Sequence, residues 1–184
     1  MNGQASRRRL PLVSLAVASS LLTGCTAGAR DAVPGCDAGP RLALVAQSVP
    51  AAAYVPCIRS LPPDWDTEAF HAGRDGTRFT LAVDRPGGRP VRVAFHATCD
   101  VTGAVPTAPR AEGVRTSIAL RSISPRYTGT LTDVFAGGCV TYRFDFARGP
   151  HIALMEQLGN SVGLFSRREL AVALHDRLGV ELDR

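Results

Sequence analysis

The chain has 184 residues, of which 45% are apolar and 20% are charged, a composition typical of a single globular domain. Its formal net charge is +5, but removing the arginines at positions 7–9 with a leader segment leaves about +2. A balance this close to neutral argues against nucleic acid as a partner, because nucleic-acid-binding proteins usually carry a clustered basic face.

An export signal is predicted in the first 24 residues. Three arginines precede an apolar run over residues 10–22, which is too short to span a bilayer core of ~30 Å but has the length of a signal-peptide core. The run ends in Leu22-Thr23-Gly24-Cys25, which resembles the lipobox of bacterial lipoproteins, where a leucine and small residues precede a lipid-modified cysteine. The resemblance implies cleavage before Cys25 and anchoring in the cell membrane, on its extracytoplasmic side, by acyl chains on that residue.

Two alternatives stay open for this segment. Cleavage by an ordinary signal peptidase would leave a soluble protein, and residues 6–10 also resemble a degenerate twin-arginine export signal, from which Pro11 departs. After the cleavage point, residues 25–40 are rich in glycine, alanine and proline and are interpreted as a flexible tether. Residues 41–184 are then predicted to form one extracytoplasmic domain.

The middle of this domain alternates apolar and polar residues with the period of two that is typical of half-buried strands. Turn-forming residues, including a Pro-Gly-Gly run at 86–88 and Gly137-Gly138, separate the alternating stretches. The pattern predicts strands over residues 78–84, 91–97, 114–123, 127–135 and 140–146.

The last forty residues change to helical spacing. Pro150 opens a predicted helix that ends at Gly159, and Ser166 with Glu169 forms a predicted capping box for a second helix that ends at Gly179. The fold class is therefore predicted as α+β. We expect an antiparallel sheet of about five strands with the C-terminal helices packed on one face.

Four cysteines remain after the lipidated one, an even number for an oxidising compartment. They allow three connectivities, of which we favour Cys36–Cys57 and Cys99–Cys139, since these pairs would pin the tether to the domain and join two strand ends. A zinc site formed by His96, Cys99 and Cys139 is the competing interpretation. It is disfavoured because no second pair of residues has metal-ligand spacing.

No sequence motif indicates catalysis. The chain lacks a nucleophile elbow, a phosphate-binding glycine loop and a metal-ligand set, so no catalytic residue, cofactor or metal is assigned. The densest acidic cluster is Asp64, Asp66 and Glu68 around Trp65. We interpret it as a solvated loop whose tryptophan packs on the domain, rather than as a sugar-stacking or cation-binding loop.

One candidate binding surface is an arginine-lined face of the sheet. Arg92, His96, Arg115, Arg121 and Arg143 each fall on the polar side of a predicted strand, and they would share one face if these strands are neighbours. Guanidinium groups in such an arrangement suit a phosphate, a cell-wall polymer or a lipid headgroup. The competing interpretation is a solvated polar face without a ligand.

Beyond the lipobox, residues 56–184 resemble the small uncharacterised extracytoplasmic domains of lipoproteins from high-GC Gram-positive bacteria. The resemblance is carried by Pro56-Cys57, Leu61-Pro62, Trp65, Cys99-Asp100, the run 137–142, Ser166-Arg167 and Leu170. It implies a shared scaffold and no particular activity.

Three functions are compatible with this sequence. The first is a non-enzymatic binding or accessory module of the cell envelope, held at the membrane by lipid on Cys25 and contacting an envelope protein, a cell-wall polymer or a lipid. The alternatives are a cell-wall or lipid hydrolase whose site the sequence does not reveal, and a structural surface protein.

Overall fold

The computed structural model describes residues 33–86, 88–147 and 149–183. The predicted export signal, Cys25 and the first part of the predicted tether lie outside these residues. Within the described part, the three helices are α1 (Pro40–Ser48), α2 (His151–Ser161) and α3 (Arg167–Leu178). The strands are β1 (Tyr54–Ile58), β2 (Trp65–Gly73), β3 (Gly76–Val83), β4 (Val91–His96), β5 (Val105–Pro106), β6 (Arg115–Ser122), β7 (Arg126–Phe135), β8 (Gly138–Ala147) and β9 (Val162–Ser166).

The strands form two sheets whose ladders are antiparallel. The larger sheet has seven strands in the order β2-β3-β4-β8-β7-β6-β5, and β1 pairs with β9 in a separate two-stranded ribbon. The α+β class and the antiparallel sheet are confirmed, and the five predicted strands correspond to β3, β4, β6, β7 and β8. The predicted sheet size of about five strands is wrong.

The strands that the sequence pattern missed are short or irregular. In β2, the pairing register shifts between Glu68 and His71, and this bulge interrupts the alternation on which the prediction depends. β5 has only two residues, one of them a proline, which suits its place at the sheet edge. β1 and β9 contain Pro56 and Gly163, residues that normally argue against a strand interior.

One face of the seven-stranded sheet is buried beneath the helices. The alternation predicted for β3, β4 and β8 places Phe79, Phe95 and Tyr142 on that face, where they are almost fully buried. Leu158 of α2 and Leu174 of α3 belong to the same hydrophobic cluster. The two C-terminal helices differ in position, because α2 contacts the seven-stranded sheet at β8, whereas α3 packs mainly against α1 and β9. The outward face of the central strands carries exposed polar side chains.

The helix ends match the predictions in part. α3 has Ser166 as its N-cap residue and ends at Gly179, whose positive φ of 64° is the left-handed conformation expected of a terminating glycine. The cap makes no side-chain hydrogen bond, so the predicted capping box with Glu169 does not form. α2 continues past the predicted end at Gly159 to Ser161, and β9 begins at the next residue.

Both favoured disulfides are present. Cys36 pairs with Cys57 and Cys99 pairs with Cys139, with Cα atoms 5.0 Å and 6.1 Å apart respectively. Next to the first disulfide, the Cys36 amide donates to the carbonyl of Ile58 over 3.0 Å, and the Ile58 amide donates to the carbonyl of Pro34 over 2.9 Å. The last residues of the predicted tether are thus fixed to the fold.

A buried ion pair joins the loop before β6 to the C-terminal elements. The Arg110 guanidinium contacts the fully buried carboxylate of Asp133 over 2.8 Å and also donates to the backbone carbonyls of Gly159 and Val162. Burial by itself would lower the pKa of Arg110, but Tyr142 and Asp133 outweigh it and raise this pKa. Burial raises the pKa of Tyr142, so its phenol stays neutral in this cluster.

Candidate anion-binding face

The strand register places four arginines on the uncovered face of the sheet. Arg92 of β4 lies directly opposite Arg143 of β8, and Arg78 of β3 lies diagonally from Arg92 because it pairs with Ala94. Arg121 occupies a bulge in β6, where the register shifts between Leu120 and Ser122. We call the outward surface that carries Arg78, Arg92, Arg121 and Arg143 the arginine face.

These four guanidiniums have no acidic partner among the residues that the structure describes. All four residues are exposed, and within the part of the chain that the structure describes none of them forms an ion pair or a side-chain hydrogen bond. Like charges directly opposite each other on adjacent strands destabilise a sheet by about 0.2–1 kcal/mol. The Arg92–Arg143 pair therefore carries a repulsion that a bound anion would relieve.

The arginine face is concave and forms two adjoining grooves. A larger groove of about 1030 Å³ extends toward β2 and the loop after β4, and a smaller groove of about 570 Å³ extends toward the turn before β4. Arg92, Arg121 and Arg143 line both grooves, whereas Arg78 lines only the larger one. Three cationic groups therefore meet where the two grooves join.

Short side chains form the floor of the larger groove. Thr132 of β7 pairs directly with Thr141 of β8, and Thr130 pairs with Arg143. The hydroxyls of these three threonines form no hydrogen bond with another described residue, and Ala94 and Ala119 lie beside them in the lining. The floor thus combines methyl groups with hydroxyls that can both donate and accept.

One wall of the larger groove comes from the β2 bulge. Ala69 has a positive φ of 51°, which is uncommon for a residue with a side chain, and Phe70 and His71 follow it in the groove lining. Bulges of this kind re-aim side chains and occur often beside binding sites. The bulge places the imidazole of His71, which pairs with outward-facing Arg78, beside the groove, whereas Phe70 packs partly against the core.

The opposite wall is the loop 98–104, which the Cys99–Cys139 disulfide fastens to β8. Asp100 in this loop accepts hydrogen bonds from Thr102, which lower the pKa of its carboxyl group. At the neighbouring strand end, His96 Nδ1 donates to the backbone carbonyl of Asp75 over 2.9 Å. Its Nε2 atom is then the nitrogen left to interact with a ligand.

The carboxylate that lines the smaller groove is neutralised by arginines outside the arginine face. Asp145 lines the smaller groove and forms ion pairs with Arg89, over 3.3 Å, and with Arg126. It therefore does not offset the charge of Arg92 or Arg143. The local balance of the junction remains positive.

The structure places the predicted site residues on one face but not in one groove. Arg92, His96, Arg121 and Arg143 line the larger groove. Arg115 shares a cross-strand row with Val134, Cys139 and His96, and it lies outside the lining of both grooves.

Sequence reasoning left Arg78 out of the candidate site, although the same alternation with Phe79 that defines β3 marks it as outward-facing. It also left out the threonine floor. A threonine on the polar side of a strand gives no sequence signal of its own, and only the pairing of β7 with β8 brings these hydroxyls together.

Other candidate sites do not develop into functional ones. Trp65 is buried in the core, in agreement with a packed tryptophan, and Asp64 pairs with Arg85. The interpretation of this segment as a loop is wrong, because Asp66 and Glu68 lie in β2 and pair with β3. The disulfide consumes Cys99 and Cys139, two of the three ligands that the zinc alternative required. Among the described residues, no group of three or more potential ligands could hold a metal ion.

Comparisons with known proteins add no relationship: no protein-family model matches the chain, and searches of curated proteins and of solved structures found no match. Over the three described ranges of residues, no helix is both long and apolar enough to cross a lipid bilayer.

Proposed function

We propose that this protein is a lipoprotein of the cell envelope, anchored to the outer side of the cell membrane through Cys25, and that its arginine face binds an anionic ligand without transforming it. The observation that carries the proposal is a set of four guanidiniums on a concave surface that form no ion pair with any described residue, two of them directly opposed. On a face that contacts only water, the repulsion between the two opposed guanidiniums stays uncompensated. A bound anion compensates it by accepting charge-assisted hydrogen bonds from both groups.

Binding is tested by titrating inorganic pyrophosphate into the full chain carrying Cys25→Ala, at low ionic strength, by calorimetry. We expect saturable binding that weakens with added salt and falls at least about tenfold in Arg92→Gln, because a hydrogen bond to a charged group contributes ~1.5–3 kcal/mol. The matched control is Arg168→Gln, which removes an exposed arginine from α3 and leaves affinity unchanged. Equal loss in both variants, or no binding at all, contradicts the proposal, and turnover of the probe would indicate the hydrolase instead.

The anchoring part is tested in the producing cells. The unmodified chain is expected in the detergent phase after phase partitioning, and Cys25→Ala is expected in the aqueous phase, since acyl chains contribute ~0.8 kcal/mol per buried CH₂ to membrane attachment. Identical partitioning of the two forms would overturn the lipid anchor while leaving the binding face unaffected.

A further inference from the structure

We infer a specific ligand class for the arginine face, and this inference rests on the proposed anion-binding function. The face recognises the phosphate ester of a polyol or a sugar. The phosphate is held where the two grooves join, and the hydroxylated part lies on the threonine floor. The inference combines the charge at the junction with the chemistry of the surfaces that lead away from it.

The junction matches a phosphate group better than a carboxylate. Arg92, Arg121 and Arg143 reach it from three different strands, and each guanidinium presents a planar fork of donors. A phosphate monoester has three non-bridging oxygens and a phosphodiester has two, and in both they are arranged tetrahedrally around phosphorus, so guanidiniums from different directions can share them, whereas the two oxygens of a carboxylate lie in one plane. The direct opposition of Arg92 and Arg143 also places two positive charges side by side, which suits the double charge of a monoester and lets both guanidiniums donate to the two free oxygens of a diester.

The larger groove indicates what is attached to the phosphate. Its volume of about 1030 Å³ is far more than a phosphate needs and is at the upper end for sites that hold small molecules. Thr132 and Thr141 place adjacent hydroxyls on its floor, and neither hydroxyl is used within the described structure. Hydroxyl groups that donate and accept are the natural partners of other hydroxyls.

The walls agree with this assignment. His71, positioned by the β2 bulge, supplies a ring surface for the C–H faces of a sugar or polyol. Ala94 and Ala119 on the floor leave room for these carbons to approach the sheet. The guanidiniums and threonine hydroxyls in the lining favour a charged, hydroxylated ligand over an alkyl chain, so we assign the headgroup or polymer unit rather than a lipid tail to this groove.

The closing experiment compares three probes by calorimetry: inorganic phosphate, glycerol 3-phosphate and glucose 1-phosphate. The unmodified face is expected to bind both esters more tightly than inorganic phosphate. In Thr141→Val and in Thr132→Val, which keep the shape and lose the hydroxyl, the ratio of ester affinity to phosphate affinity is expected to fall about three- to tenfold. Thr107→Val, at an exposed position outside both grooves, is the control and leaves this ratio unchanged.

The outcomes separate this inference from the proposed function. Equal binding of all three probes, with no effect of the threonine variants, overturns the ester assignment but leaves anion binding intact. Failure of every anion to bind overturns both. Folding of each variant is checked by its thermal unfolding midpoint, and a double variant Thr132→Ser/Thr141→Ser, which retains the hydroxyls, is expected to restore the preference.

Two sources could supply this ligand, and a vesicle experiment distinguishes them. Phosphatidylglycerol and phosphatidylserine carry the same net charge at neutral pH, but only the first bears a polyol phosphate headgroup. Selective binding to phosphatidylglycerol vesicles by the unlipidated chain identifies a lipid headgroup. Binding to glycerol 3-phosphate and to a glycerol-phosphate polymer but to neither vesicle identifies a soluble or cell-wall source. Equal binding to both vesicles, with no preference among the soluble probes, contradicts recognition of the polyol.

Discussion

At the residue scale, the arginines of this protein divide into structural and unpartnered groups. Arg85, Arg110 and Arg126 are each paired with a carboxylate, whereas Arg92 and Arg143 face each other across two strands. Sequence alone identified the outward position of these two residues from the alternation. It could not identify their pairing, because register is a property of two strands that are far apart in the chain.

The opposed arginines predict a variant that is more stable than the natural protein. Replacing Arg143 by glutamine removes one partner of the repulsion, and the free energy of unfolding without ligand is expected to rise by about 0.2–1 kcal/mol at low ionic strength. The gain should shrink as salt is added, because the charges are exposed. Urea unfolding at two salt concentrations measures both effects, and a destabilised or salt-independent variant would refute the repulsion.

A second residue-scale prediction concerns acid. The hydrogen bond from Arg85 lowers the pKa of the Asp64 carboxyl below its ordinary value. A carboxyl whose folded-state pKa is depressed contributes stability above its unfolded-state pKa, and this contribution is lost as the pH falls through the folded-state value. The difference in unfolding midpoint between the natural chain and Asp64→Asn should therefore be present at about pH 6 and shrink as the pH falls below about 4, the ordinary range of an aspartate carboxyl. A difference that persists in acid would show that Asp64 acts through something other than its charge.

At the element scale, the strands with regular alternation were predictable and the irregular ones were not. β3, β4 and β8 follow the period of two because one face is buried and the other solvated. β2 carries a bulge at Ala69, so its pattern fails just where it forms a groove wall. The bulge that forms this groove wall therefore also interrupts the alternation by which the sequence would have revealed β2.

The buried Arg110–Asp133 pair predicts a large loss on truncation. Arg110→Ala leaves the Asp133 carboxylate buried without its ion-pair partner and also removes the bonds to the carbonyls of Gly159 and Val162. Breaking a buried ion pair in this way costs about 3–5 kcal/mol. Chemical denaturation measures the loss. Arg168→Ala, on the exposed side of α3, is the control and should change stability by less than about 0.5 kcal/mol.

The two disulfides predict different consequences for binding. Removing either one by double serine substitution should cost about 2–5 kcal/mol of stability. Only the Cys99→Ser/Cys139→Ser variant releases the loop 98–104 that walls the larger groove, so it should also lose ligand affinity at a temperature where it remains folded. Cys36→Ser/Cys57→Ser, far from the groove lining, is the matched control. Equal losses of affinity in the two variants would contradict the role of the loop.

At the scale of the whole molecule, the helices cover one side of the sheet and leave the other as a concave, cationic surface. α1, α2, α3 and the β1–β9 ribbon contribute to one hydrophobic cluster with the inward side chains of the sheet. The α+β class, the late helices and both disulfides followed from sequence patterns. The size of the sheet and the curvature that creates two grooves depend on long-range pairing, which local patterns do not encode.

Chemical-shift mapping by nuclear magnetic resonance is the most direct measurement of the central claim, because it reports where an anion binds rather than only whether it binds. With pyrophosphate added to the Cys25→Ala chain, we expect the chemical-shift changes to concentrate at the Nε resonances of Arg92, Arg121 and Arg143 and at the amides of Thr130 and Thr141. The resonances of α3 should stay unchanged. Shifts centred on another surface, or none at saturating probe, would contradict the assignment of this face as the binding site.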